Sequence, residues 1–156
     1  KTGLALIEGY RRLQGIVFRP GDRRFAGKSA AEAVGSALAD PACAMVNRNT
    51  GSGTRILINQ LLAKVRADDA PPPGYGVQTK SHNAVAAAVS RGSADWGVAI
   101  QTVAQMYDLA FIPLQEEHYD FAVPEDRQDS AAVRAFQELL QDSDVRRELQ
   151  EMGFRL

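Results

Sequence analysis

The stretch that most constrains the fold is Ala42–Arg55. Ala42–Asn47 is a compact apolar run suited to a buried parallel strand. It empties into Arg48-Asn49-Thr50-Gly51-Ser52-Gly53-Thr54, after which Ile56, Leu57, Leu61, Leu62 and Val65 take up helical spacing. The order strand, glycine loop, helix then recurs. Consecutive prolines within Asp68–Gly74 forbid helix or central strand and predict an exposed connection. Tyr75–Lys80 returns as a strand, Ser81 can cap a helix carrying Val85 and Val89, and Gly92 is placed to end it.

The remaining segments fit the same alternation. Leu4–Ile7 and Gly15–Phe18 are expected as short strands, followed by a turn at Arg19-Pro20-Gly21-Asp22. Ser29-Ala30-Ala31-Glu32 has capping-box spacing and predicts a helix to about Leu38, which Asp40-Pro41 ends. Trp96–Ile100 is expected as a strand, Gln101–Tyr107 as a short helix, and Ala110–Leu114 and His118–Val123 as two further strands, the last closed by Pro124. Amphipathic packing helices are expected over Ser130–Gln141 and Ser143–Met152, with Gly153 as a stop. Strands alternating with helices over 156 residues imply an α/β chain with a largely parallel sheet, as one domain or two unequal lobes.

Charge narrows the partners. With 18 basic and 19 acidic residues the net charge is −1, which gives no general attraction to nucleic acid or to an anionic membrane. Any anion must be caught locally. The single cysteine, Cys43, excludes a disulfide within these residues and any multi-cysteine metal site, and its apolar neighbours suggest burial. No apolar run approaches the ~20 residues that span a bilayer, no signal-peptide pattern opens the sequence, and Lys1 suggests a processed or excised chain. A cytoplasmic domain is the expectation.

Chemistry concentrates at the two loop-to-helix junctions. Gly51-Ser52-Gly53-Thr54 lets the backbone turn tightly while first-turn N–H groups stay unpaired, and those groups bind negative charge with the helix dipole behind them. Ser52 and Thr54 add hydroxyl donors without charge, which suits a dehydrated dianion. A plain capped helix start has the same spacing. The loop lacks the Gly-Lys-Ser/Thr ending of a nucleotide P-loop and the GxGxxG dinucleotide spacing. Ser81-His82-Asn83 forms a second mouth, and two such mouths at the carboxyl edge of one sheet strengthen the binding reading. Arg48 and Arg55 flank the loop as its supports, Asp95 fits a turn, and Trp96 fits the core. His82 and His118 fit no common zinc spacing, Ser52 lies in no GxSxG elbow, and His118 with Glu116, Glu117 and Asp120 fits a solvated strand entry better than a metal site. No catalytic residue, metal or cofactor is expected, so the chain is not expected to be an enzyme.

Val46-Asn47-Arg48-Asn49-Thr50-Gly51-Ser52-Gly53-Thr54-Arg55, with Ser81-His82-Asn83-Ala84-Val85-Ala86 and Gly92-Ser93-Ala94-Asp95-Trp96-Gly97, resembles a known family. These are the periplasmic-binding-protein-like domains related to LysR effector domains, found fused to molybdopterin-biosynthesis proteins or helix-turn-helix regulators and associated with molybdate or tungstate. The resemblance extends from about Gly15 to Phe121, with Gln14-Gly15-Ile16-Val17 near the lobe crossing. It implies a type II, two-lobed binder that closes on its ligand and reports occupancy to a fused transcription-regulating or biosynthetic domain. The second lobe would present Ser52, Gly53 and Thr54, with Ser81, His82 or Asn83 opposite, and Tyr119 near the returning strand. Trp96 departs from the small aliphatic residue usual at its position and would narrow the space behind the cleft.

The resemblance also implies an incomplete first lobe: residues 1–20 as its remnant and crossover strand, 21–115 as the second, ligand-binding lobe, and 116–156 as the return strand and packing helices. The expected partner is a small oxyanion or anionic molecule, with no direct nucleic-acid or membrane contact and a homodimer left open. Two alternatives stand beside the sensor: a component of a molybdenum-cofactor biosynthesis enzyme binding a molybdopterin-related anion, and a ligand-free structural or dimerisation module.

Overall fold

A computed structural model describes residues 3–65 and 70–156; Lys1 and residues 68–69 of the proline-rich connection lie outside the described residues. The elements run β1 (Leu4–Phe18), α1 (Ala30–Leu38), β2 (Asn47–Arg48), α2 (Gly53–Val65), β3 (Gln78–Thr79), α3 (His82–Ser90), β4 (Trp96–Ile100), α4 (Gln101–Met106), β5 (Ala110–Pro124), α5 (Ala131–Gln141) and α6 (Ser143–Glu151). Contacts divide the chain into a larger unit, Gln14–Gln115, and a smaller one formed by Lys1–Leu13 with Glu116–Leu156. β1 and β5 each contribute to both.

The larger unit is α/β, with a mixed sheet. β2 and β3 pair in parallel, Asn47 opposite Gln78 and Arg48 opposite Thr79. A parallel bridge between Met45 and Trp96 leads to β4. There the direction reverses: Gln14–Phe18 pairs antiparallel with β4, from Gln14 opposite Ile100 to Phe18 opposite Trp96. The parallel character expected for the sheet therefore belongs to its crossover strands, while β1 enters against them. Helices cover both faces. Ile58 and Leu62 of α2 and Ala33, Val34 and Ala37 of α1 pack with Phe25, Ile16, Phe18, Trp96 and Val98. On the other face Val85 and Val89 of α3 and Ala104 of α4 meet Val17, Val46 and Ala99. Trp96 is fully buried in the first of these layers, where it contributes roughly 3 kcal/mol of apolar burial.

Two expected strands are shorter than predicted, for one reason. Ala42 still belongs to the turn that Cys43 N–H closes on Asp40 O at 2.9 Å, and although Val46 N–H bonds to Trp96 O at 2.9 Å and Asn47 N–H to Val77 O at 2.8 Å, only Asn47–Arg48 forms a ladder. Its neighbour turns first at Pro72–Tyr75 and again at Gly74–Val77, so regular pairing begins only at Gln78. Gly74 makes this possible: its φ is +79°, and a side chain there would collide with the carbonyl of Met45.

In the smaller unit the opposite correction applies. Leu4–Ile7 is part of one strand continuing to Phe18, and Ala110–Leu114 and His118–Val123 are one strand, β5. Charges interrupt the apolar alternation without interrupting the strands, because they pair across them: Arg12 Nε lies 2.6 Å from Glu117 and Arg11 3.5 Å from Glu116. α5 and α6 start at Ser130 and Asp142, whose side chains accept first-turn N–H groups. Phe136 of α5 meets Phe121 edge-on at 4.8 Å, and Phe154 beyond α6 tilts against Tyr10 at 4.8 Å.

Candidate functional site

The loop after β2 is held from both sides. Asn49 N–H bonds to Thr79 O at 3.0 Å, and Thr50 N–H to Gln78 Oε1 at 3.2 Å. Gly51 turns the chain at φ +88°, a conformation that other residues rarely adopt. Ser52 closes the turn: its hydroxyl donates to Asn49 O at 3.0 Å and accepts Arg55 N–H at 3.2 Å. Arg55 braces the loop, donating to Arg48 O at 2.9 Å and to Asn59 Oδ1 at 3.3 Å while its guanidinium stacks 4.4 Å over the Tyr75 ring. Tyr75 in turn donates to Asn59 Oδ1 at 2.9 Å. What remains are the N–H groups of Gly53 and Thr54, which have no acceptor among the described residues. They open α2 with its dipole behind them.

The second mouth lies beside the first because β2 and β3 are parallel neighbours and both end at the same edge. Thr79 Oγ1 donates to Asn47 O at 3.3 Å, and Ser81 caps α3 by accepting Ala84 N–H at 3.1 Å. His82 and Asn83 are the first residues of α3. Arg48 ties the two mouths together: one guanidinium nitrogen is 3.1 Å from His82 Nδ1 and 3.2 Å from Nε2, and the other donates to Lys80 O at 3.3 Å. A point so nearly equidistant from both ring nitrogens would strike Cε1 if it lay in the ring plane. That nitrogen therefore lies over the imidazole face.

The structure thus brings Arg48, Ser52, Gly53, Thr54, Arg55, Ser81, His82 and Asn83 to one edge. Thr54 is buried, and Ser52 and His82 are half-buried. Tyr119 belongs to the smaller unit, where its ring stacks on Tyr10 at 5.4 Å and carries the Arg12 guanidinium at 4.7 Å. Glu116 and Glu117 there pair with arginines, and Asp120 accepts Gly9 N–H at 3.3 Å. Gln78, Asn59 and Tyr75 hold the site loop and went unrecognised in the sequence; Gln78 and Tyr75 act through partners distant in the chain, whereas the i, i+4 spacing of Arg55 and Asn59 is a local signal that could have found that pair.

At the amino end of β4 the charged side chains are matched. Asp95 accepts Arg19 and Arg24, each at 2.9 Å, and Ala44 N–H at 2.9 Å. Arg24 also grips Asp22 at 2.6 and 2.9 Å and Asp40 at 3.1 Å. Arg24's hydrogen bonds hold the Asp22 carboxyl below its ordinary range. Burial pushes Asp95 upward, but the Ala44 N–H and the two guanidiniums outweigh it and leave its pKa lowered. Asp95 is more than a turn residue: it is the hub of this network.

Solved structures similar to the chain are binding proteins of the periplasmic-binding-protein fold. The ancestral amino acid-binding protein AncCDT-1, a precursor of cyclohexadienyl dehydratase, matches with a TM-score of 0.64 at 13% identity over 96% of this chain and 61% of that one. The tungstate-binding protein TupA from Desulfovibrio alaskensis G20 matches with a TM-score of 0.59 at 16% identity, over 93% and 64% respectively. These identities establish likeness of fold. The model of the PBP superfamily domain matches residues 1–141, and the chain belongs to that family. It is 34% identical over 109 residues to the uncharacterized protein YvgK of Bacillus subtilis (strain 168), a match that takes in 70% of this chain but spans only 35% of YvgK.

Proposed function

We propose that this chain captures a compact oxyanion, molybdate or tungstate, and serves as a cytoplasmic sensor domain that closes on it rather than as an enzyme. The observation that carries the reading is the side-by-side opening of α2 and α3 from parallel strands, with the Gly53 and Thr54 N–H groups unpaired among the described residues. Two helix dipoles and oriented amides compensate a dianion without reorganising, as water would have to. Arg48 lies at the same edge, bonded to Lys80 O and beside His82, and the bracing by Arg55, Gln78 and Asn59 keeps the donors in place before the ligand arrives. Preorganisation of this kind lowers the ordering cost of binding. The name of TupA, a tungstate-binding protein of similar fold, is a further support.

In this proposal a ligand that favours the closed state shifts the population toward it, and a fused domain senses the shift. The test is thermal unfolding of the chain with molybdate, tungstate, sulfate and phosphate. Binding to the native state alone stabilises it by about 2.7 kcal/mol at a hundredfold excess over Kd. A saturable shift with molybdate or tungstate, lost in Ser52→Ala with Thr54→Val, is the expected result. No shift with any of the four anions defeats the proposal, and an equal shift with all four defeats its selectivity.

A further inference from the structure

A buried amide on β1 stands out because its polar end is unmatched. Gln14 is 4% exposed, and its Oε1 is buried without a hydrogen-bond partner. Leaving such an atom unsatisfied is costly, and buried polar groups are almost always paired. Trp96 Nε1 is likewise unpartnered, but Trp96 lies wholly inside the core at the far end of β4. The location of Gln14 is different.

Its register and its face both place it at the ligand edge. Gln14 pairs with Ile100, the last residue of β4, so it stands at the carboxyl end of the crossover strands. That is the edge from which the loop to α2 leaves. Side chains alternate along a strand, so Gln14 shares a face with Ile16 and Phe18, and these pack in the layer that contains Ile58 and Leu62 of α2. Gln14 therefore occupies the same face and the same edge as the first turn of α2. One strand, β4, separates β1 from the extended segment leading into β2, so about two strand spacings, roughly 10 Å, separate their backbones. An anion seated beyond the carboxyl end of β4 would have Gln14 on one side and the first turn of α2 on the other.

We infer that Gln14 is a ligand-contacting residue of the oxyanion site, facing the α2 amides across the bound anion. The inference rests on the oxyanion reading given above. A half-turn of the amide exchanges Oε1 and Nε2 at no steric cost. With Nε2 inward, Gln14 donates to a fully deprotonated anion such as molybdate; with Oε1 inward, it accepts from an anion that carries a hydroxyl. Either way the ligand supplies the missing partner. The side chain adds no charge, so the anion remains compensated by the dipoles of α2 and α3.

The deciding experiment uses Gln14→Met, close in length and unbranched, with Gln14→Leu as a second variant if the first folds poorly. Calorimetric titration with molybdate, tungstate, sulfate and phosphate is paired with the unfolding temperature in the absence of anion. Removing an orphaned polar atom leaves that temperature unchanged or raises it, whereas losing a hydrogen bond to a charged ligand weakens binding about tenfold or more. Opposite directions in the two readouts are the expected signature. Unchanged affinity overturns the assignment of Gln14 alone. Weaker binding together with a lowered unfolding temperature marks a merely structural role and overturns it as well. A wild-type chain that binds none of the anions overturns the oxyanion reading itself and this inference with it.

Discussion

The two ends of the sheet in the larger unit are built from similar materials and do opposite things. At the amino end of β4, Arg19, Arg24, Asp22, Asp40 and Asp95 satisfy one another, and Arg19 also reaches the carbonyls of Val89 and Ala94 at 2.8 and 2.7 Å. At the carboxyl end, the N–H groups of Gly53 and Thr54 and the amide oxygen of Gln14 lack partners among the described residues. A matched polar cluster fixes geometry and offers nothing to a ligand. An unmatched one costs stability and leaves hydrogen-bonding capacity for something else to fill. The contrast predicts that mutations at the first end read out as stability, and those at the second as binding.

The largest effect is expected for Asp95→Ala. It removes the shared acceptor of two guanidiniums and of Ala44 N–H while leaving both arginines in place. Loss of one partner from this partly buried charge network costs about 2 kcal/mol, between the figures for exposed and fully buried pairs. Urea unfolding should show the loss, with anion binding to the folded fraction unchanged. A binding defect of equal size would erase the distinction between the ends.

Acid should attack the same end. Asp22 and Asp95 titrate below their ordinary values in the folded chain, so the unfolded chain binds protons first as pH falls. Their contribution is complete above the unfolded carboxyl value of about 4 and disappears as pH falls through the folded values. Stability followed by urea unfolding should therefore be steady down to about pH 5 and decline steeply below about pH 4. Asp95→Asn combined with Asp22→Asn should flatten that decline; an unchanged slope would place the acid sensitivity elsewhere.

What was legible in the sequence follows the same division between local and distant chemistry. The capping box at Ser29–Glu32, the cap at Ser81 and the glycine loop at Gly51 are set by neighbours within a few residues, and all appear where spacing placed them. The periplasmic-binding-protein resemblance holds, carried by the two junctions. The full lengths of β1 and β5 were hidden, because Arg11, Arg12, Glu116 and Glu117 look like loop residues until they are seen pairing across strands. Shortening of β2 and β3 was hidden for the converse reason, a turn at Gly74 that displaces the partner backbone. The Asp95 hub and the Gln78 support each depend on residues far away in sequence, and one chain without its fold shows no sign of them.

A smaller effect should come from the caps at the open end. Ser52→Ala removes both the acceptor of Arg55 N–H and the donor to Asn49 O, and a lost N-cap costs about 1 kcal/mol. Ser81→Ala removes only the bond to Ala84 N–H at the start of α3, and its cost should fall at or below that figure. If the open end is a binding edge, both variants should lose more in molybdate affinity than in unfolding free energy. Equal losses would mean that the hydroxyls serve only the helices.

The smallest effect is a reaction that should not occur. Cys43 lies beside the matched end, fully buried, with its backbone N–H bonded to Asp40 O at 2.9 Å. Burial, opposed by Arg24 and aided by Asp95, Asp22 and Asp40, pushes its thiol up to about 12. Since the thiolate is the nucleophile, two barriers protect it at neutral pH: scarcity of the reactive form and lack of access. Alkylation by iodoacetamide at pH 8 should proceed only through opening, and should slow on urea removal in step with global stability. Asp95→Ala should accelerate it by the factor that its loss of stability implies, whereas Ser52→Ala at the other end should change it little beyond its own smaller cost. Rapid labelling of the folded wild type would show that the matched end opens independently, and that the polar network there fixes less than its hydrogen bonds suggest.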